Sequence, residues 1–248
     1  MPWLCAFTRI CVASGLGHLA PSWVFGDYSG GVLLANSSTV TIRQTAVSAL
    51  DNNVYLLTSK ATGQQVLIDA ADDPGAIHQL LLTAAEDTPQ PQLAMIVTTH
   101  GHWDHLRALG DMARSTGATL VAGRGDVAAI EQAAQVTGVK AVDHGAQLTV
   151  GDFDLQVVAL RGHTPGGIAL AYSEPDMPTH LFTGDCLFPG GVGATDRDPE
   201  RFGALLADVK NRLFEVFADD TKVLPGHGRS TTIGEERVYL PVWAARGW

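Results

Sequence analysis

Four side chains able to bind a metal crowd into one short stretch, Thr99-His100-Gly101-His102-Trp103-Asp104-His105. The stretch directly follows Ala94–Thr98, an apolar run of the kind that forms a buried strand. At a strand's end the backbone can turn, so close neighbours in sequence can all face one cavity. Imidazole and carboxylate are the ligands that suit zinc, iron or manganese. A polar loop that happens to be rich in histidine has no comparable reason to sit at such a junction.

Three further junctions have the same form. Arg161-Gly162-His163-Thr164-Pro165-Gly166-Gly167 follows a strand expected to end at Leu160. Leu181-Phe182-Thr183-Gly184-Asp185 puts a carboxylate at the end of another apolar strand, and Leu224-Pro225-Gly226-His227-Gly228 repeats the pattern. The adjoining glycines allow tight turns and close backbone approach. One histidine after a strand is usually an ordinary hydrogen-bonded residue. Three such junctions beside the cluster make a converging site the stronger reading.

Regular alternation begins at Thr39. Strands are expected at 40–44, 54–58, 65–68, 94–98, 118–122, 147–150, 153–160, 167–173, 179–183 and 222–224. Helices are expected at 74–86, opening on Pro74, at 105–115, at 124–135 and at about 198–217. On the last, Phe202, Leu205, Leu206, Val209, Leu213 and Phe217 share a face. Strands interleaved with helices indicate an α/β or α+β layered fold. Residues 1–38 show no sustained period and read as an N-terminal extension with a possible hairpin at Ser29-Gly30-Gly31. Residues 39–248 then form one domain.

Composition narrows the chemistry. The formal net charge is −10, and no cluster of Lys and Arg offsets it, which argues against nucleic acid as a partner. No apolar run is long enough to span a bilayer, so no membrane is expected. Three cysteines, Cys5, Cys11 and Cys186, are too few and too odd a number for a disulfide framework, and point to a reducing, cytoplasmic location. The start of the chain lacks the basic residues of a secretory signal, and Arg9 interrupts its apolar stretch. A small molecule is the expected substrate; the pattern is silent on oligomeric state.

The ordered set His-x-His-x-Asp-His, a later His, an Asp in a Thr-Gly-Asp context and a final Pro-Gly-His resembles the metallo-β-lactamase superfamily, over roughly Thr39 to the C-terminus. Phe182-Thr-Gly-Asp-Cys-Leu-Phe-Pro-Gly-Gly-Val-Gly193 is most similar to its glyoxalase II-like hydrolases. The resemblance implies a four-layer αββα sandwich with two divalent metals at one edge, zinc first, with iron or manganese as alternatives. It places the first metal on His100, His102 and His163, and the second on Asp104, His105 and His227, with Asp185 between them. Asp104 and Asp185 take catalytic as well as ligand roles. Asp69, at the end of Val66-Leu67-Ile68, would orient the histidine-rich loop from behind; an ordinary turn or helix cap is its other reading.

The resemblance implies hydrolysis of a thioester of the hydroxyacylglutathione kind, with a hydroxide shared by two metals as nucleophile. A thiolate leaving group suits a site without an evident protein acid. The chain departs from the pattern in having Leu106-Arg107-Ala108 where the family often has Gly-Gly, and Trp103 where a smaller residue is usual. Too few residues follow His227 for the helical domain that grips glutathione in longer relatives. Rival readings are a mononuclear-iron persulfide dioxygenase on His100, His163 and Asp185, a lactone or β-lactam hydrolase at the same metals, and a ribonuclease, which the acidic charge opposes. His18, His78, His144 and His180 match no ligand position, and Cys186 is expected to be a buried, inert thiol.

Overall fold

The computed structural model describes residues 31–247. Two sheets pack face to face. The first runs in the order β1 (Val32–Asn36), β2 (Val40–Val47), β3 (Asn52–Ser59), β4 (Gln64–Ile68), β5 (Gln92–Thr98), β6 (Thr119–Gly123), β7 (Lys140–Val142). It is antiparallel as far as β4 and parallel from there to β7. Its parallel half is built by right-sized crossovers through α1 (Pro74–Thr83), α2 (Leu109–Thr116) and α3 (Val127–Ala134). The second sheet contains β8 (Gln147–Val150), β9 (Phe153–Ala159), β10 (Ile168–Glu174), β11 (Met177–Gly184), β14 (Lys222–Pro225) and β15 (Thr231–Thr232), in the order β15-β14-β11-β10-β9-β8. A small hairpin, β12 (Leu187–Phe188) and β13 (Gly191–Val192), follows β11, and α4 (Pro199–Val209), α5 (Ile233–Arg237) and α6 (Leu240–Arg246) complete the chain.

Side-chain alternation sorts each strand between two cores. Val40, Ile42, Tyr55, Leu57, Val66, Ile68, Val97 and Val121 point between the sheets and meet Leu155, Val157, Ile168, Leu170, Phe182 and Leu224. The other faces of the first sheet, with Val54, Leu56, Leu67 and Ile96, pack under Ile77, Leu80, Leu109, Met112 and Ile130 of α1, α2 and α3. On the far side Ala169, Ala171, Leu181 and Val223 pack under Leu205, Val209 and Trp243. The result is the expected αββα sandwich. No helix among the described residues is long and apolar enough to cross a membrane.

The sequence reading needs three corrections. Regular structure starts at Val32, not Thr39: Val32–Asn36 pairs antiparallel with β2, so the supposed extension 1–38 contributes an edge strand. Residues 32–35 form an unbroken apolar run, exposed at Val32 and Leu33 and half-buried after them, so the sequence shows no alternation there. Second, the helix expected over 105–115 begins only at Leu109, after a 3-10 turn at Trp103–His105. Third, the long helix over 198–217 breaks into α4 and a π turn, Lys210–Phe214. The extra residue of that turn buries Phe214, which had no place on the expected face, and leaves Phe217 only partly buried. The hairpin at Ser29-Gly30-Gly31, the extension's Trp3, Trp23, Phe25 and Tyr28, His18, Cys5 and Cys11 lie outside the described residues, Gly31 apart.

Candidate metal centre

The four junctions meet at one edge of the sandwich. The loops after β5, β9, β11 and β14 carry His100–His105, His163, Asp185 and His227 respectively. Ligand atoms of His100, His102 and His163 lie within 4.8 Å of one another, as do those of Asp104, His105 and His227, and those of His100, His105 and Asp185. All seven residues singled out in the sequence are thus together. Asp185 sits centrally: Oδ1 is 3.4 Å from His105 Nε2, while Oδ2 is 3.5 Å from His227 Nε2 and 3.7 Å from His163 Nε2.

The outer hydrogen bonds decide which way each ring presents its lone pair. Nδ1 of His105 faces Asp69 Oδ2 at 2.9 Å, Nδ1 of His227 faces the Leu50 carbonyl at 2.7 Å, and Nδ1 of His163 faces the Ala194 carbonyl at 2.7 Å. Each of these acceptors requires an N–H, which leaves each Nε2 with its lone pair directed inward. His105 Nε2 and His227 Nε2 then oppose one another at 3.2 Å. His163 Nε2 and Asp185 Oδ1 are buried without any hydrogen-bond partner. Converging lone pairs and orphaned buried polar atoms are costly unless a cation stands among them. The donor set, imidazole nitrogen with carboxylate oxygen, is what zinc and similar divalent ions take.

Charge is distributed to match. Burial alone would depress the His105 imidazolium, but the Asp69 and Asp185 carboxylates outweigh it and push its pKa up to about 10. A proton on His105 Nε2 relieves the opposed lone pairs, and a cation held there would displace it. Burial drives His100 well below its ordinary value, with the neighbouring His105 adding to the effect. Burial also opposes the charge on Asp185, yet His105 and His227 hold its carboxyl well below the usual range.

The scaffold behind the ligands is dense. Asp69, in a left-handed backbone conformation, accepts from the Thr99 N–H at 2.7 Å and the Thr99 hydroxyl at 2.8 Å as well as from His105. It orients the histidine-rich loop and is not a helix cap. Gly226 packs so closely that a Cβ there would lie 2.3 Å from Asp185 Oδ1. Trp103 turns away from the core, 58% exposed, with the Arg107 guanidinium stacked 3.8 Å from its ring centre. His78 bonds to the Pro74 carbonyl of its own helix, exposed His144 lies away from the ligands, and neither joins the centre.

A model of the metallo-beta-lactamase superfamily matches residues 47–228. The chain belongs to this superfamily. Among its relatives, the hydroxyacylglutathione hydrolase GloC of Haemophilus influenzae is 29% identical over 179 residues, covering 66% of this chain and 82% of that protein. The solved structure of ETHE1 from Myxococcus xanthus is 31% identical, with a TM-score of 0.67 over 82% of this chain and 84% of that one. TTHA1623, solved in a di-iron-bound form, is 30% identical, with a TM-score of 0.64 over 78% of this chain and 96% of that one. The superfamily motifs account for the seven residues and Asp69, but not for their neighbours. Asn52 donates to Asp104 Oδ2 at 3.1 Å, Asn53 Nδ2 donates to the Pro225 and Gly228 carbonyls, and Tyr55 donates to the Pro225 carbonyl at 2.7 Å. These residues of β3 hold the His227 loop in place. In the sequence, Asp51-Asn52-Asn53 looks like any polar turn, because the partners lie 52 positions away for Asn52 and 172 and 175 for Asn53.

Proposed function

We propose that this chain is a metal-dependent hydrolase of small acyl thioesters. Two divalent cations, zinc first with iron or manganese as alternatives, fit His100, His102 and His163 on one side and Asp104, His105 and His227 on the other, with Asp185 between. The observation that carries the reading is that the second group is as fully assembled as the first, down to the opposed lone pairs of His105 and His227 at 3.2 Å. Cations bound there supply Lewis acidity toward a carbonyl oxygen and lower the pKa of water.

The residues do the rest by holding geometry. Asp69 takes the Nδ1–H of His105, so in the neutral ring the lone pair sits on the inner nitrogen. Asn52 fixes one oxygen of Asp104. The Asp185 carboxylate stays ionised and central. Among the described residues no thiol competes as nucleophile: Cys186 is buried, its Sγ directed at the Leu160 carbonyl at 3.6 Å, and burial pushes its pKa far up. A thioester suits this site because a thiolate leaves without a strong acid, a free thiol having a pKa of about 8.5. Similarity to the hydroxyacylglutathione hydrolase of Haemophilus influenzae supports the same substrate class.

A mononuclear-iron dioxygenase on His100, His163 and Asp185 would give Asp104, His105, His227 and the Asn52 contact no task, which favours the hydrolase. The test combines elemental analysis with a substrate panel: lactoyl thioesters of glutathione and of a truncated thiol, a lactone, a β-lactam and a phosphodiester. We expect about two transition-metal ions per chain and turnover of the thioesters ahead of the other substrates. A single iron with an inert second group, or faster turnover of the lactone or β-lactam, refutes the reading.

A further inference from the structure

Asp126 lies in the 3-10 turn Arg124–Asp126 between β6 and α3, outside the ligand motifs and only 2% exposed. Its carboxylate accepts three hydrogen bonds. Oδ2 takes the Gly101 N–H at 2.9 Å and the Thr164 hydroxyl at 2.6 Å, and Oδ1 takes the Gly166 N–H at 2.7 Å. Gly101 separates His100 from His102, and Thr164 follows His163. One buried carboxylate therefore clamps together the two loops that carry the three-histidine group, although those loops come from different sheets.

The clamp sits in a rigid frame. Backbone meets backbone between 123–126 and 165–166: a Cβ on Gly123 would lie 2.0 Å from the Gly166 carbonyl oxygen, and one on Gly166 would lie 2.3 Å from the Asp126 nitrogen. From the opposite side Arg201 donates to the Gly162 carbonyl at 2.9 Å and the His163 carbonyl at 2.6 Å. The second group is braced by other residues. Asp69 holds His105, Asn52 holds Asp104, and the Leu50 carbonyl holds His227; Asp69 also holds Thr99, whose hydroxyl lies 3.1 Å from His100 Nδ1.

We propose that Asp126 is the positioning residue of the His100, His102 and His163 group, and that this cation position can be weakened through it while the other keeps its own partners. The proposal rests on the two-cation reading above. Its physical basis is that an amide cannot replace this carboxylate. All three partners present donors; with Asn at 126, one buried N–H, that of Gly101 or of Gly166, meets another N–H. The ligand loop on that side then shifts, while the Asp69 and Asn52 contacts stay as they are.

The experiment titrates the full chain with Zn2+ against a competing chelator and records the absorption spectrum with Co2+. His163→Ala and His227→Ala mark the loss of each group. For Asp126→Asn we expect one binding midpoint weakened about 10- to 100-fold, the usual scale for the partner of a ligand, with the other unchanged. At one equivalent of Co2+ its spectrum should match His163→Ala. Thr164→Val, which removes one donor and keeps the side-chain shape, should shift the same midpoint in the same direction by less. Parallel weakening of both midpoints with a lower melting temperature of the metal-free protein, in both variants, means Asp126 is merely structural and overturns the proposal. So do unchanged midpoints. Failure of the two-cation reading looks different: the unsubstituted chain then shows a single midpoint. Asp126 is judged on that midpoint, and no shift overturns its role.

Discussion

Asp69→Asn is a change of one atom with a calculable consequence. The carboxylate accepts from the Thr99 N–H through Oδ1, and from the Thr99 hydroxyl and His105 Nδ1 through Oδ2. If the amide keeps its oxygen on the Thr99 N–H, its NH2 faces His105 Nδ1. That nitrogen must then accept, and the ring proton moves to Nε2, where the lone pair for the second cation should be. Turned the other way, the NH2 opposes the Thr99 N–H in a buried setting. Either outcome forfeits about one hydrogen bond to a charged group, about 1.5–3 kcal/mol. At 1.36 kcal/mol per decade this is roughly 10- to 150-fold in affinity for one cation. Zn2+ content at fixed free zinc measures it, with His227→Ala as the reference for an empty second group. We expect Asp69→Asn to lose the Asp104, His105 and His227 ion first, with a smaller loss at the other because the Thr99 hydroxyl also lies 3.1 Å from His100 Nδ1. Wild-type affinity for both ions, or equal loss of both, refutes the tautomer argument.

Asp185→Ala should reduce turnover to background and release both ions, whereas Asp69→Ala should cost about 10- to 100-fold; small, equal losses in a steady-state assay would show that Asp185 is not shared. Removing residues 1–38 deletes β1 and uncovers the edge of β2, so its melting temperature should fall below that of a chain lacking only residues 1–30; coincident melting curves would show that β1 contributes nothing. His180 is buried on β11 with Nδ1 unpartnered, and burial depresses its pKa below 6.5. Its contribution to stability is therefore present above about pH 6.5, the ordinary value, and lost as pH falls below it, because the unfolded chain takes up the proton first. His180→Gln should flatten that acid limb in thermal melts between pH 7 and 5, and an unaltered slope would remove His180 from the account.

Much of the centre was legible without coordinates, for reasons that are local. His100 to His105 are neighbours, so a strand followed by a turn suffices to bring them together, and the glycine-flanked His163, Asp185 and His227 mark three more strand ends. Asp69 came from the family resemblance, and three hydrogen bonds bear out its place behind the loop. Alternation over residues 40–44 marked β2, and short β-branched runs marked β3 and β4. The edge strand β1, with exposed Val32 and Leu33, carried no such alternation. The π turn after α4 has no periodic signature either, and it moved Phe214 into the core.

The order of histidines and carboxylates along the chain, and the strand ends on which they sit, were determined by the sequence alone, because both depend on contacts a few residues apart. Tertiary structure decided the pairing of those ends across two sheets, the inward lone pairs of His105, His163 and His227, and the bracing by Asp126, Asp69 and Asn52. Those depend on acceptors such as Leu50, Ala194 and Pro225, backbone carbonyls that every residue possesses. No residue type announces which carbonyl will face a given ring; only the packing of the sandwich brings them within 3 Å.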